Sequence, residues 1–198
     1  MSTRFGLNAP AQFAQEIRKS KFVANAANVA SQETALEFVA QASDSTASHN
    51  CWAWRIGQNY RFNDDGEPSG TAGKPILLAI DGQLMDTVAV VVTRWFGGIK
   101  LGAGGLMRAY GGCAAECLRQ AEKSELVDLA LVEISLEFAL LPILRARLGL
   151  FGASVVAEDF SATGAALRVS IAQVQLPELQ RVLSDLTRGQ STLRRFDQ

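Results

Sequence analysis

Three stretches of this 198-residue chain concentrate side chains able to do chemistry. The first runs Arg94-Trp95-Phe96-Gly97-Gly98-Ile99-Lys100-Leu101-Gly102-Ala103-Gly104-Gly105-Leu106-Met107-Arg108 and sets glycines directly before an expected helix. Glycine lets the backbone come close to a ligand, and the N–H groups at a helix start are free to bind an anion. Between Asp86 and Glu116 there is no acidic residue, whereas Arg94, Lys100 and Arg108 supply a local positive field. The competing reading is a tight packing turn with solvated bases around it, although several glycines exceed what one turn requires. Nucleotide fingerprints fit poorly. Met107 stands where the third glycine of a dinucleotide motif belongs, and Pro68 and Pro75 spoil a phosphate loop ending in Gly73-Lys74.

The second stretch is Asp64-Asp65-Gly66-Glu67-Pro68-Ser69-Gly70-Thr71-Ala72-Gly73-Lys74. Its three carboxylates can hold Mg²⁺ against a phosphate or pair with the bases above, and Ser69, Thr71 and Lys74 follow at the mouth of a helix. Asp, Gly, Pro and Ser are also the ordinary residues of an acidic surface turn. The third is His49-Asn50-Cys51, with Cys113 and Cys117 one helical turn apart far downstream. Four such ligands could make a zinc site, but a cysteine alternating with Trp52 and Trp54 also reads as a small core residue. His49, the only histidine, is the candidate for any neutral-pH proton transfer.

The elements that must position these residues follow from periodicity. Lys21 to Val29 reads as a strand, and Ser31 caps a helix to about Ala42 with Glu33 in its first turn and Leu36 and Val39 inward. Cys51 to Ile56 is a strand with both tryptophans on one face. Arg61 to Gly73 has no apolar period and reads as a polar loop. Pro75 sits in the first turn of a helix from Lys74 to Ile80, and Thr87 to Thr93 is the β-branched run of a buried central strand. A helix from Leu106 to Ala121 follows. Glu122 to Glu125 reads as a charged connection, which divides the chain into residues 1–126 and 127–198.

Beyond it, Val132, Ile134, Leu136 and Phe138 alternate inward, and Pro142 opens a helix ending near Gly149. Strands Ala153 to Ser161 and Ala165 to Gln173 flank a Thr163-Gly164 turn. Pro177 opens a helix striped by Leu179, Val182, Leu183 and Leu186, and Ser191 to Phe196 is a last strand. The order β-α-β-β-α-β is that of a ferredoxin-like module, so the fold class expected is α+β in two domains.

Composition narrows the function classes. The chain is 48% hydrophobic and 20% charged with a net charge of −1, which excludes a broad polycationic coat on nucleic acid. No run approaches 18 apolar residues, the first ten residues lack a signal-peptide core, and three cysteines are no disulfide framework. These features place the protein in the cytoplasm, away from membranes.

His49-Asn50-Cys51, the Asp64 to Pro75 stretch and Arg94-Trp95-Phe96-Gly97-Gly98 through Gly112 together resemble the signature of the IMPACT family. The likeness extends to Lys19-Ser20-Lys21-Phe22 near the start and Thr187-Arg188-Gly189 near the end. It departs at Trp95-Phe96, where a pair of tyrosines is usual, and Cys113 and Cys117 belong to no family motif. The resemblance implies an N-terminal domain like the second domain of a small-subunit ribosomal protein and a ferredoxin-like, elongation factor G-like C-terminal domain. It also implies nucleic-acid or ribosome contact with a role in translation regulation, without an established reaction. On that reading RNA or the ribosome is the partner. Arg94, Lys100 and Arg108 would meet phosphates beside Gly102, Gly104 and Gly105, and Trp95 and Phe96 would stack on bases. Asn50, Asp64, Asp65, Glu67, Ser69, Thr71 and Lys74 form the motif loop, with no cofactor or metal assigned. The rival is an enzyme acting on an anionic small molecule, with Asp64, Asp65 and Glu67 on a metal and His49 as proton carrier. Either way, His49, Asp64, Glu67, Lys100 and the Gly102 to Gly105 backbone are expected on one side of the N-terminal domain.

Overall fold

Strand formation starts nearer the N-terminus than apolar alternation indicates. In the computed structural model, which describes residues 3–191 and 193–196, Arg4–Leu7 (β1) and Ala11–Ile17 (β2) precede Ser20–Asn28 (β3). β2 and β3 form a hairpin whose two turn residues, Arg18 and Lys19, both have positive φ, 45° and 65°. Two such residues between a closing Ile17–Ser20 pair match the right-handed twist of the strands. Ser31 then caps Gln32–Ala42 (α1): its Oγ accepts from the Thr34 N–H, and the Thr34 hydroxyl oxygen accepts from the Ser31 N–H. Ala35 and Phe38 carry the inward face, while Leu36, expected inside, is exposed. The stripe is rotated by one residue because it must meet Trp54 and Ala89 on the sheet below.

His49–Ile56 (β4) and Asn59–Asn63 (β5) make a second hairpin, so the polar stretch from Arg61 begins as a strand. Every residue of β5 is exposed at the sheet edge, which leaves no alternation to read. Gly73–Gly82 (α2), Val88–Trp95 (β6), Ala103–Gln120 (α3) and Lys123–Leu126 (β7) follow. The five-stranded sheet has the order β2-β3-β6-β4-β5 with all neighbours antiparallel, and β6 is its buried centre. Ile76 and Ile80 of α2 and Leu106, Tyr110 and Leu118 of α3 pack on one face, against Phe22, Cys51 and Val90; α1 covers part of the other face. β7 pairs with β1, so Glu122 to Glu125 is no free connection: its backbone is satisfied by a separate two-stranded ribbon.

The chain divides into units Met1–Leu126 and Val127–Gln198. In the second, Leu129–Glu137 (β8), Leu141–Leu150 (α4), Ser154–Phe160 (β9), Gly164–Ala172 (β10), Leu176–Thr187 (α5) and Leu193–Arg195 (β11) build an antiparallel sheet of order β11-β8-β10-β9. Leu144, Leu148, Leu179 and Leu183 from its two helices meet Val132, Ile134, Leu167 and Val169 of the sheet. Phe138, expected inward, is exposed because the chain leaves the strand there for a single 3-10 turn, Phe138–Leu140. Gly164, expected in the turn, is already paired with Glu137 as the first residue of β10. Thr192, within the last expected strand, lies outside the described residues. Among those described, no helix is long and apolar enough to cross a membrane.

Two glycines test this packing in opposite directions. A Cβ on Gly97 would lie 1.9 Å from the Lys19 carbonyl oxygen, so Gly97→Ala is expected to lose about 1–3 kcal/mol of stability. Gly112 lies in mid-helix with open space around it, and Gly112→Ala is expected to gain up to about 1 kcal/mol. Urea unfolding midpoints of the two variants against wild type check both signs.

Candidate functional site

The acidic stretch folds around its own carboxylates. Ala72, at the N-cap position of α2, has no side chain to cap it. Asp64 supplies the missing acceptors: Oδ1 accepts from the N–H groups of Ala72 (3.0 Å) and Gly73 (2.8 Å), and Oδ2 from that of Gly70 (2.8 Å). A carboxylate there also complements the positive end of the helix dipole. Asp65 Oδ2 accepts from the Asn50 N–H at 2.6 Å, and Thr71 Oγ1 donates to the Pro68 carbonyl. Asn50 Oδ1 takes the Asp44 N–H and the Thr93 hydroxyl, while its Nδ2 donates back to the Asp44 carbonyl. Asn50 thereby pins the loop between α1 and β4 to the centre of the sheet.

His49 Nδ1 lies 2.7 Å from the Asp65 carbonyl oxygen, which can only accept, so Nδ1 carries a proton. Nε2 then faces Glu67 Oε1 at 3.8 Å. Glu67 is the hub. Its side chain is 4% exposed, and Oε1 accepts from Arg94 Nη1 at 2.6 Å and from the Tyr110 hydroxyl at 2.7 Å. Arg94, expected among the phosphate contacts, is itself 5% exposed, so its charge is matched inside the fold. Its guanidinium lies over the rings of Phe22 and Phe96, 5.5 and 5.3 Å from their centroids. Nη2 reaches Ser20 Oγ at 3.4 Å, the same oxygen that accepts the Gly97 N–H at 3.1 Å, and Nε is buried without a partner.

Tyr110 and Ser20 belong to this cluster without carrying a motif signal of their own. The one available was that Tyr110 is the sole aromatic in the glycine- and alanine-rich α3. Burial and the neighbouring Cys51 and Glu67 push its phenol far above the ordinary range. Burial likewise pushes the Cys51 and Cys113 thiols up to about 12 and Cys117 to about 11. All three cysteines are free core residues, and Cys51 donates to the Asp64 carbonyl. Among the described residues no group of three His, Cys, Asp or Glu side chains is placed to hold a metal; the zinc constellation is not assembled.

The exposed chemistry is basic and aromatic. Lys100 and Arg108 bracket the start of α3 and Lys74 and Ser69 flank the start of α2, all exposed. Gly102, with φ of 71°, is the N-cap of α3; Gly104 and Gly105 lie in its first turn, and no side chain caps it. That start lies two turns, about 10 Å, before Tyr110 along the helix. The Asp64 loop, Glu67 and α3 thus share the α2/α3 face of the sheet, with His49 beside Glu67. Trp95 and Phe96 part company. Trp95 meets Lys21, whose Nζ is 5.0 Å from its ring centroid, and lies 3.5 Å from Thr46; Phe96, 48% exposed, lies over Arg94. They do not form one stacking platform.

Removing one member of the buried pair strands the other. Arg94→Leu is expected to cost about 3–5 kcal/mol, and Glu67→Leu on top of it to recover part of that loss. Denaturant unfolding of Arg94→Leu, Glu67→Leu and the double variant measures the coupling, and a double variant weaker by the sum of both single losses would deny it. The raised thiols predict a simple assay: at pH 8 the native protein should leave all three cysteines unreacted with a thiol reagent, and unfolding should expose three.

Comparison with known proteins finds relatives across most of the chain. The family model of the Impact N-terminal domain matches residues 18–118, which run from the β2–β3 turn through the acidic loop and β6 into α3. The IMPACT family member YigZ of Escherichia coli (strain K12) is 36% identical over 188 residues, covering 91% of this chain and 92% of its own. An IMPACT family member from the pol 5' region of Thermus thermophilus is 53% identical over 122 residues, 62% of this chain and 68% of its own. A crystal structure of a hypothetical protein, 34% identical, superposes with a TM-score of 0.68 over 100% of this chain and 99% of that one. With the motif residues in place and a relative matched almost end to end, the chain belongs to the IMPACT family.

Proposed function

We propose that this protein binds RNA, free or on the ribosome, through the N-terminal unit, and that it acts in the regulation of translation from the cytoplasm. One observation carries the reading: the motif's carboxylates, and Arg94 with them, are used inside the fold, while Lys100 and Arg108 are left exposed. Asp64 and Asp65 accept backbone N–H groups, and Glu67 accepts from Arg94 and Tyr110. Lys100 and Arg108 are exposed and, among the described residues, make no ion pair, with Phe96 exposed nearby in sequence. Free bases beside an exposed ring suit phosphates and unstacked bases. An enzyme with a metal on Asp64, Asp65 and Glu67 is less well supported, because it would have to strip those carboxylates from the α2 cap and from Arg94. Free buried thiols support a reducing compartment. The strand order and two helices of the second unit support a ferredoxin-like, elongation factor G-like domain, and the first unit is read as the ribosomal-protein domain-2-like fold.

Filter binding of a labelled single-stranded RNA across a salt series tests the function. Each phosphate contact contributes about −0.7 to the slope of log affinity against log salt, so Lys100→Ala and Arg108→Ala are each expected to flatten it by about that amount. Phe96→Ala is expected to weaken binding by about 1–3 kcal/mol. Wild-type protein that binds no RNA even at low salt would sink the proposal.

A further inference from the structure

The turn between β2 and β3 is built from the wrong residues for a turn. A two-residue hairpin loop with both φ values positive favours Asn-Gly, because a Cβ crowds the backbone there. This chain places Arg18 and Lys19 in that conformation. Both side chains are exposed, and among the described residues neither pairs with a carboxylate. Glu16, the nearest acid across the hairpin, is the cross-strand partner of Lys21 instead.

The turn is also locked against the strand end that carries Phe96. A Cβ on Gly97 would lie 1.9 Å from the Lys19 carbonyl oxygen and 2.6 Å from the Ser20 nitrogen, so the two backbones touch. The Gly97 N–H donates to Ser20 Oγ, and that oxygen also meets Arg94, whose guanidinium backs the Phe96 ring. The turn that carries residues 18 and 19, remote in sequence from Phe96, is therefore held by backbone contact against Gly97, the residue that follows Phe96.

From this juxtaposition we infer that Arg18 and Lys19 are phosphate-contacting residues of a single-stranded RNA site, flanking a base stacked on Phe96. The inference rests on the RNA-binding reading above and extends it to a segment outside the glycine-rich motif. Single-stranded RNA is the partner because an aromatic ring at the surface needs a base already out of its stack, and paired bases do not offer one. The unfavourable turn conformation is kept because the residues that would relieve it carry no charge.

The double variant Arg18→Asn/Lys19→Gly separates the two demands on this turn. It should raise the urea midpoint, since Asn-Gly suits the conformation, and weaken a labelled single-stranded RNA by about tenfold or more at low salt. The log–log salt slope should flatten by about 1.4, two contacts' worth. Arg18→Gln/Lys19→Gln, which removes charge without altering the turn residues' backbone preference greatly, should reproduce the binding loss without the gain in stability. Wild-type affinity and slope in both variants would overturn this inference and leave the RNA-binding reading standing. Failure of the wild type to bind RNA would overturn both, and a duplex of the same length binding more tightly would overturn the single-stranded assignment.

Discussion

A carboxylate and a guanidinium buried together are expensive to take out of water, and the Glu67–Arg94 pair at 2.6 Å is stable only because the fold surrounds it with partners. Tyr110 brings a second donor to the same carboxylate oxygen, Ser20 meets Nη2 of the guanidinium, and two phenyl rings lie within cation–π distance of it. These partners come from four places: the acidic loop, the central strand, the long helix and the first hairpin. Each element is fixed by the need to reach the pair. The loop must turn at Gly66, the helix must present Tyr110 inward against Phe22, and the hairpin must bring Ser20 beneath Gly97.

This division of labour changes what the family's motifs mean. Most of their polar residues build the surface rather than form it. Asp64 starts a helix, Asn50 ties a loop to the sheet, and Thr71 closes a turn. What they leave exposed includes Lys74, Lys100, Arg108 and the Phe96 ring, which the chain's near-neutral total charge conceals. Across the chain 19 Lys and Arg stand against 20 Asp and Glu, so exposed cations such as Lys100 and Arg108 leave no mark on the net charge.

What could be read from residues alone follows the physics of burial. Val88 to Thr93, Leu179 with Leu183, and the Ser31 cap were legible because each is a local pattern with one solution. β1, β5 and β7 were not, because strands exposed at an edge or in a two-stranded ribbon need no apolar alternation, and β2 went unread although its Ala11, Phe13 and Ile17 alternate toward the core. Leu36 and Phe138 were placed inside by periodicity and moved out by what their elements had to meet or where they ended. The motif loop was legible as a candidate site, but the burial of Arg94 was not. Whether an arginine faces solvent or a carboxylate 27 residues away depends on the closing of the sheet, which no window of sequence contains.

The strand order has a consequence for how the chain acquires its shape. β2–β3 and β4–β5 are hairpins whose pairing is local, yet they touch each other only through β6, which inserts between them after both have been made. Neither hairpin alone can bury both of its faces. The Ser20 to Gly97 and Ser20 to Arg94 contacts span 77 and 74 residues, so the entropy of closing those long loops is met late. On a chain emerging from a ribosome at roughly 5–20 residues per second, the two hairpins wait several seconds with apolar faces uncovered before the central strand arrives. Arrival of that strand joins the hairpins and brings Arg94 to Glu67, and α3, made directly after it, adds Tyr110 to the pair and covers the apolar face.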